Sequence, residues 1–406
     1  MATFEEIAER EQQFLLQTYN RYPVVLARGK GVFVYDIEGK RYLDFVSGLG
    51  VNALGHAHPR IVKAIREQAA KLLHVSNLYY HEYQGRLAEK LCQLSGGSSG
   101  MSRVFFSNSG TEAIEGSIKL ARLAGHRAGG AAKCRLVALE GSYHGRTFGA
   151  LSLTGQDKHR KGFEPLLEDV TFVKQNDVEG LRAAVNDNTC AIVLEPIFGE
   201  GGIYECSGEF LGECRALADR HRAALIFDEI QCGLGRTGTI FAFQNFGVTP
   251  DMVAIAKPLA AGLPLGAFLA KEEFASAIGP GQHGTTFGGG PLTCRIALEF
   301  LAIVEEEKLL ENVNRVGGYL RQELEGLVKK CPAAKEVRGR GFIQGIQLEI
   351  PARPIVDAGL AEGVLFNSTQ DTVVRFLPPF LLEEKHVDKG IRVLKKLLGK
   401  KRRAAA

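Results

Sequence analysis

The eight cysteines of this 406-residue chain include no Cys-x-x-Cys pair. That argues against a zinc site or a disulfide framework and suits a reducing compartment. An excess of one charge is also lacking. A formal net charge of +4 is small for the length, so nothing in the overall balance calls for nucleic acid. No apolar run approaches the length needed to span a bilayer. The stretch Phe4–Phe14 is a charged amphipathic pattern and not a secretion signal. No internal repeat occurs, and the glycine-rich stretches Gly96–Gly100 and Gly288–Gly290 read as turns. His56-Ala-His58 is too short a motif to claim a metal, and turn or cap roles suit it better. The basic end, Lys395-Lys396 and then Lys400–Arg403, reads as a solvated helix end and a frayed tail. These absences leave a cytoplasmic protein of enzyme size, with no metal, membrane or nucleic acid implied.

What is present is an ordinary soluble composition, 45% hydrophobic and 24% charged. The length exceeds that at which a single core stops growing, so two or more lobes are expected. Residues 31–46 alternate about Glu38-Gly39 like a hairpin, Pro59 opens a helix, and a second helix runs from about Glu82 to Leu94. Strand and helix patterns then alternate: Arg103–Phe106, helix 111–124, Arg135–Glu140, Val170–Val173, helix 177–185, Cys190–Leu194, helix 208–222, Ala224–Phe227. Such alternation predicts an α/β fold built on a mostly parallel sheet flanked by helices. Past Lys257 the texture changes, with a boundary near residue 297. A helix from about Thr293 into 305–330, short strands at 345–349, 364–366 and 373–376, and a closing helix near 383–398 predict a lobe of their own.

The chain is organised around Asp251–Gly266. There Lys257 follows the apolar run Val253–Ala256 and precedes a Pro/Gly-broken loop with no other charge before Lys271. Desolvation lowers a lysine's pKa and makes a nucleophilic amine suited to a Schiff base with an aldehyde. A lysine at a strand end whose head reaches water is the plainer alternative. Asp228 also ends an apolar run, Ala224–Phe227, and a carboxylate there can hold a pyridine nitrogen protonated. Asp228-Glu229 as a turn or cap pair is the competing reading. Lysine and aspartate together suggest pyridoxal 5′-phosphate (PLP), which requires a phosphate cradle and a ring clamp. The run Ser107–Glu112 between a strand and a helix is a candidate cradle, with Gly110 allowing close approach and Thr111 adding a hydroxyl. Ser109-x-x-Glu112 is equally a capping box. Tyr143, after strand Arg135–Glu140, is placed where open α/β sheets bind ligands, and a ring there can lie on a heteroaromatic cofactor. Taken alone, it would more often be core or rim.

The blocks Gly50–Pro59, Asn108-Ser-Gly-Thr-Glu-Ala113, Tyr143-His-Gly-Arg-Thr147 and Glu195-Pro-Ile-Phe-Gly-Glu-Gly-Gly202 carry a resemblance along nearly the whole chain. It continues through Asp228-Glu-Ile-Gln231, Gly235–Gly238, Ala256–Leu259, Gly284–Gly289 and Val374–Pro378. The chain resembles the class III (ornithine-type) aminotransferases of PLP fold type I. Val51–Gly55 and His74–Tyr80 are most similar to the acetylornithine branch. The resemblance implies an N-terminal segment 1–58 that belongs to the small domain, a large PLP-binding domain 59–297 and a C-terminal small domain 298–406. It implies that Lys257 carries the cofactor, Gly110 and Thr111 hold its phosphate, Tyr143 stacks on the ring, and Asp228 and Gln231 meet its nitrogen and hydroxyl. Thr286 would reach the phosphate of a neighbouring subunit with Thr285 beside the substrate, so a homodimer with shared sites is implied.

By the same resemblance, Arg146 takes the α-carboxylate of an acylated diamine and Arg375 that of glutamate. Glu200 pairs with Arg375 and swings aside, which spares an unpaired charge when the other substrate is bound. A static Glu–Arg structural pair is the alternative. The implied reaction moves the distal amine of N2-acetylornithine to 2-oxoglutarate by a ping-pong cycle, in arginine biosynthesis. Ornithine, succinylornithine, succinyldiaminopimelate and 4-aminobutyrate transaminases share these residues, and a PLP decarboxylase or mutase uses the same scaffold. Three positions depart from the family pattern: Phe198 for glutamine, Ile114 for asparagine and Gly290 for asparagine. None removes a group named above. Phe198, two residues from Glu200, bears on substrate preference.

Overall fold

Alternation of side chains along buried strands divides the larger part of the chain into two cores. In the computed structural model, which describes residues 2–97 and 100–404, seven strands form one sheet. Their spatial order is Arg103–Ser107, Gly266–Ala270, Met252–Ile255, Ala224–Asp228, Thr189–Leu194, Arg135–Leu139 and Val170–Val173. Gly266–Ala270 runs antiparallel to both of its neighbours, and the other pairings are parallel. Leu136, Ala138, Ala191, Val193, Ala224, Ile226, Met252 and Ala254 face one core together with helix Gly110–Gly129. Their sequence neighbours Val137, Leu139, Ile192, Leu194, Leu225, Phe227, Val253 and Ile255 face the other. The two-residue period of a strand produces that split, and coverage of both faces explains why these runs are apolar throughout.

The carboxyl ends of four of these strands open on the same edge. Arg135–Leu139 leads to Tyr143, Thr189–Leu194 to Glu195, Ala224–Asp228 ends on Asp228, and Met252–Ile255 leads to Lys257. Helix Gly110–Gly129 begins at that edge, with the Ser109 side chain accepting the Glu112 N–H at 3.4 Å. Two smaller sheets lie outside this one. Leu26–Lys30, Phe33–Asp36 and Arg41–Asp44 form an antiparallel set closed by Val364–Leu365, which runs parallel to Arg41–Asp44. Ala334–Arg340, Ile343–Leu348, Val373–Phe376 and Asn367–Thr369 form the other. Among the described residues no helix is long and apolar enough to cross a membrane.

Several elements differ from expectation. Strands Leu26–Lys30 and Ala334–Arg340 carry too few apolar residues to show a strand period, and pairing with neighbours makes them strands. Gly266–Ala270 was hidden by the Pro/Gly loop before it. The helix expected from Thr293 into 305–330 is two, Pro291–Glu306 and Leu309–Val328, broken at Lys308 with φ +52°. Residue 297 falls inside the first of them. His58 occupies a helix N-cap but makes no side-chain cap, and His56 Nε2 instead lies 2.8 Å from Asp44 Oδ2. Ser98 and Ser99 of the first glycine-rich turn, and the side chains of Lys400–Arg403, lie outside the described residues.

Arg236 fastens these parts together. Its side chain is fully buried and donates to the carbonyls of Pro378, Phe342 (3.4 Å) and Gly50 (3.2 Å), while its guanidinium lies 4.7 Å from the centre of the Phe380 ring. No ion pair offsets the charge among the described residues, and burial lowers its pKa. The cost is met in part by three carbonyls from separated stretches of chain, while Nε has no partner among the described residues. Arg236→Ala should therefore destabilise the protein by about 3 kcal/mol or more. A denaturant midpoint within error of the unsubstituted protein would contradict that account.

Candidate active site

The strand ends and the start of helix Gly110–Gly129 enclose a cavity of about 380 Å³. Gly110, Thr111, Tyr143, Arg146, Glu200, Asp228, Gln231 and Lys257 all line it, so eight of the residues singled out from sequence meet in one place. Arg375 stands behind Glu200. Thr285 and Thr286 do not line the cavity. The Thr285 hydroxyl accepts from Asn108 Nδ2 and from the Gly288 N–H, each at 3.2 Å, and Thr286 is exposed on the surface beside Phe287.

Lys257 follows a buried strand at φ +38°, a conformation that strains a residue with a Cβ. Its amine makes no hydrogen bond or ion pair with any described residue. Burial lowers its pKa, and the nearby carboxylates Glu200 and Asp228 only partly oppose this. Asp228 is 3% exposed; its Oδ1 accepts the Ile230 N–H at 3.0 Å and its Oδ2 lies 2.7 Å from His144 Nδ1. Tyr143 is half-buried. Its hydroxyl accepts from Arg146 Nε at 3.3 Å, and the His159 ring meets it edge-on at 5.7 Å. The first-turn N–H groups of helix Gly110–Gly129 have no partners within the helix. A Cβ at position 110 would lie 2.7 Å from Ile230 Cδ1, so a larger residue where the helix starts would have to displace the Ile230 side chain. The Thr111 hydroxyl accepts from the Arg146 and Thr147 N–H groups and lies 2.8 Å from the Thr147 hydroxyl.

Glu200 Oε1 accepts from Arg375 Nη1 at 2.7 Å. Burial would raise the Glu200 pKa, but Arg375 and, farther off, Lys257 outweigh it and hold the carboxyl below its usual range. Arg375 is 1% exposed and also donates to Gly199 O (2.8 Å), Gln231 Oε1 (3.1 Å) and, through Nε and Nη2, to Asn367 Oδ1. Arg146, by contrast, is exposed and has no carboxylate partner among the described residues. Of the three departures, Phe198 is buried beneath the turn, where a Cβ on Gly201 would lie 2.5 Å from its ring, and does not face the cavity. Ile114 is core, and Gly290 precedes helix Pro291–Glu306 without a side-chain cap.

Four groups were given no role at the site by the sequence reading: His144, Glu195, Glu229 and Asn367. His144 is fully buried. Burial pushes its pKa down, yet the bond to Asp228 and the two carboxylates beside it raise it overall, and its Nε2 has no partner among the described residues. Glu195 lines the cavity, and burial with the Asp228 charge pushes its pKa up to about 7. Glu229 accepts the N–H groups of Ala242 and Phe243 at 2.6 and 2.7 Å, while burial pushes it up to about 8. Glu195 was within reach of the argument that found Asp228, since both follow a wholly apolar strand. Asn367 left no such signal.

Residues 16–398 match the family Aminotransferase class-III. The acetylornithine aminotransferase of Methanocaldococcus jannaschii is 46% identical over 390 residues, covering 96% of this chain and 97% of that protein. That of Aquifex aeolicus is 46% identical over 385 residues, covering 95% and 100%. Among solved structures, the ornithine aminotransferase of Toxoplasma gondii is 30% identical with a TM-score of 0.94, covering 100% of this chain and 97% of that one. The acetylornithine aminotransferase of Elizabethkingia anophelis is 31% identical with a TM-score of 0.87, covering 98% and 100%. The chain belongs to the class III aminotransferases. It is a PLP-dependent enzyme with the fold type I architecture.

The residues present fit that cofactor. An unpaired, desolvated amine faces a buried carboxylate across a cavity into which a helix start also points. When bound, the group supplies an electron-withdrawing ring that spreads negative charge from the reacting carbon. A lysine with a lowered pKa is uncharged above that lowered value. Apo-protein should therefore capture PLP covalently at a rate that rises with pH through a midpoint below 10.5, followed by absorbance. Lys257→Ala should bind PLP without the band of a lysine–cofactor bond. A midpoint at or above 10.5, or the band in the variant, would contradict the assignment.

Proposed function

We propose that the enzyme moves the distal amine of N2-acetylornithine to 2-oxoglutarate, giving N-acetylglutamate 5-semialdehyde and glutamate in arginine biosynthesis. The observation that carries this reading is the 46% identity, over nearly all of both chains, to proteins named acetylornithine aminotransferase. The two arginines support it. Arg146, without a carboxylate partner at the cavity mouth, suits the α-carboxylate of a donor whose far amine must reach Lys257. Arg375, covered by Glu200, suits the α-carboxylate of glutamate once Glu200 turns away.

In this reading Lys257 Nζ takes the proton from the substrate carbon that bears the amine and delivers it within the same cavity. Asp228 holds a proton on the ring nitrogen, Tyr143 orients the ring face, Gln231 meets the ring hydroxyl, and Gly110 and Thr111 hold the phosphate. Thr285 and Thr286 serve the site of a second copy, in a homodimer with shared sites. The domain division 1–58 with 298–406, against 59–297, and a cytoplasmic location complete the proposal.

Free ornithine is the second reading, favoured by the similarity to ornithine aminotransferases. Competition among acetylornithine, ornithine, succinylornithine and 4-aminobutyrate at fixed 2-oxoglutarate separates the two. Acetylornithine should lead in kcat/KM by at least about tenfold, a difference of 1.4 kcal/mol in transition-state binding; preference for another amine would replace this reading. Arg375→Ala should impair the glutamate half-reaction about a hundredfold and the acetylornithine half-reaction far less, by loss of a charge-assisted bond. Equal losses in single-turnover rates would contradict the gate.

A further inference from the structure

Glu195 stands at the end of strand Thr189–Leu194 and is 5% exposed. Its two oxygens go to different loops. Oε1 accepts the Tyr143 N–H at 2.9 Å, and Oε2 accepts the Gly199 N–H at 3.0 Å. Three residues beyond Tyr143 is Arg146, and next to Gly199 is Glu200, seated on Arg375. Arg146 thus lies on one of the two loops that meet on this side chain, and Arg375, on strand Val373–Phe376, donates to Gly199 O and Glu200 Oε1 of the other.

Glu195 is an expensive choice for that position. A charge there is buried beside that of Asp228, whose Oδ2 is bonded to His144 Nδ1 at 2.7 Å. An amide would avoid the charge, but an amide has one acceptor oxygen and its NH₂ would confront the second N–H. Only a carboxylate accepts from both loops at once, with bonds strengthened by its charge.

We propose that Glu195 is a positioning residue common to both half-reactions, tying the Tyr143–Arg146 loop to the Gly199–Glu200 turn so that the two substrate-binding arginines keep a fixed separation. This rests on the reading of the two arginines given above. It assigns a function to a residue that touches no substrate carboxylate itself.

The test is amide hydrogen exchange by mass spectrometry on apo-protein and holoenzyme, together with steady-state kinetics for both substrates. In Glu195→Gln, one or both of the Tyr143 and Gly199 amides should exchange about tenfold faster, the scale of losing one such bond. KM should rise severalfold for glutamate and for the amine donor alike, with kcat changed less. Glu195→Ala should release both amides; if that variant does not fold, the glutamine variant decides. Unchanged exchange at both amides, or a KM change confined to one substrate, overturns the proposal. The exchange measurement on apo-protein needs no amine donor. A wrong donor assignment therefore leaves the bridge itself to be judged separately.

Discussion

An amine that is to attack a carbonyl has to be taken out of water without being given a carboxylate of its own. Lys257 meets both demands. It is placed by a strand, Met252–Ile255, that is buried on both faces, and it turns into the cavity at φ +38°. Strain of that kind costs on the order of 1–3 kcal/mol and persists only where the surrounding fold over-determines the backbone. The nearest carboxylates are engaged elsewhere: Asp228 with His144 and the Ile230 N–H, Glu200 with Arg375. If either were free, it would pair with the ammonium and raise its pKa. The hydrogen bonds of the carboxylates are what leave the lysine available.

The sheet explains how residues so far apart in the chain arrive together. Parallel strands present their carboxyl ends along one edge, where such folds gather ligand-binding groups. Glu195, Asp228 and Lys257 lie at or beside successive strand ends, with Tyr143 on the loop after another. One carboxylate would be easy to accommodate there. Two, with a histidine between the charges and a lysine opposite, make a site in which every proton affects its neighbours.

Much of this is legible in the sequence alone. The apolar runs at 191–194, 224–227 and 253–256 have no polar face, which only a doubly covered strand tolerates, so the central sheet and the positions of Asp228 and Lys257 followed from pattern. The helix start at Gly110 followed from its small-residue turn. What stayed hidden depends on partners distant in sequence. Ala334–Arg340 is a strand because Ile343–Leu348 pairs with it, not because its side chains alternate. Asn367, which accepts two N–H groups of Arg375, sits in an unremarkable polar stretch. His144 lies in the Tyr143–Thr147 motif, but only folding brings Asp228 to within 2.7 Å of it.

The pairing of Val364–Leu365 with Arg41–Asp44 has a consequence for biosynthesis. Lys40 Nζ donates to Leu360 O, 320 positions further along, and the Leu43 N–H donates to Gly363 O. On the ribosome the early hairpin therefore waits, one edge bare, until about 320 further residues have been synthesised. At about 5–20 residues per second that delay lasts tens of seconds. Newly made chains expose an unpaired edge throughout that interval, and their exposure ends only when the last lobe closes over it.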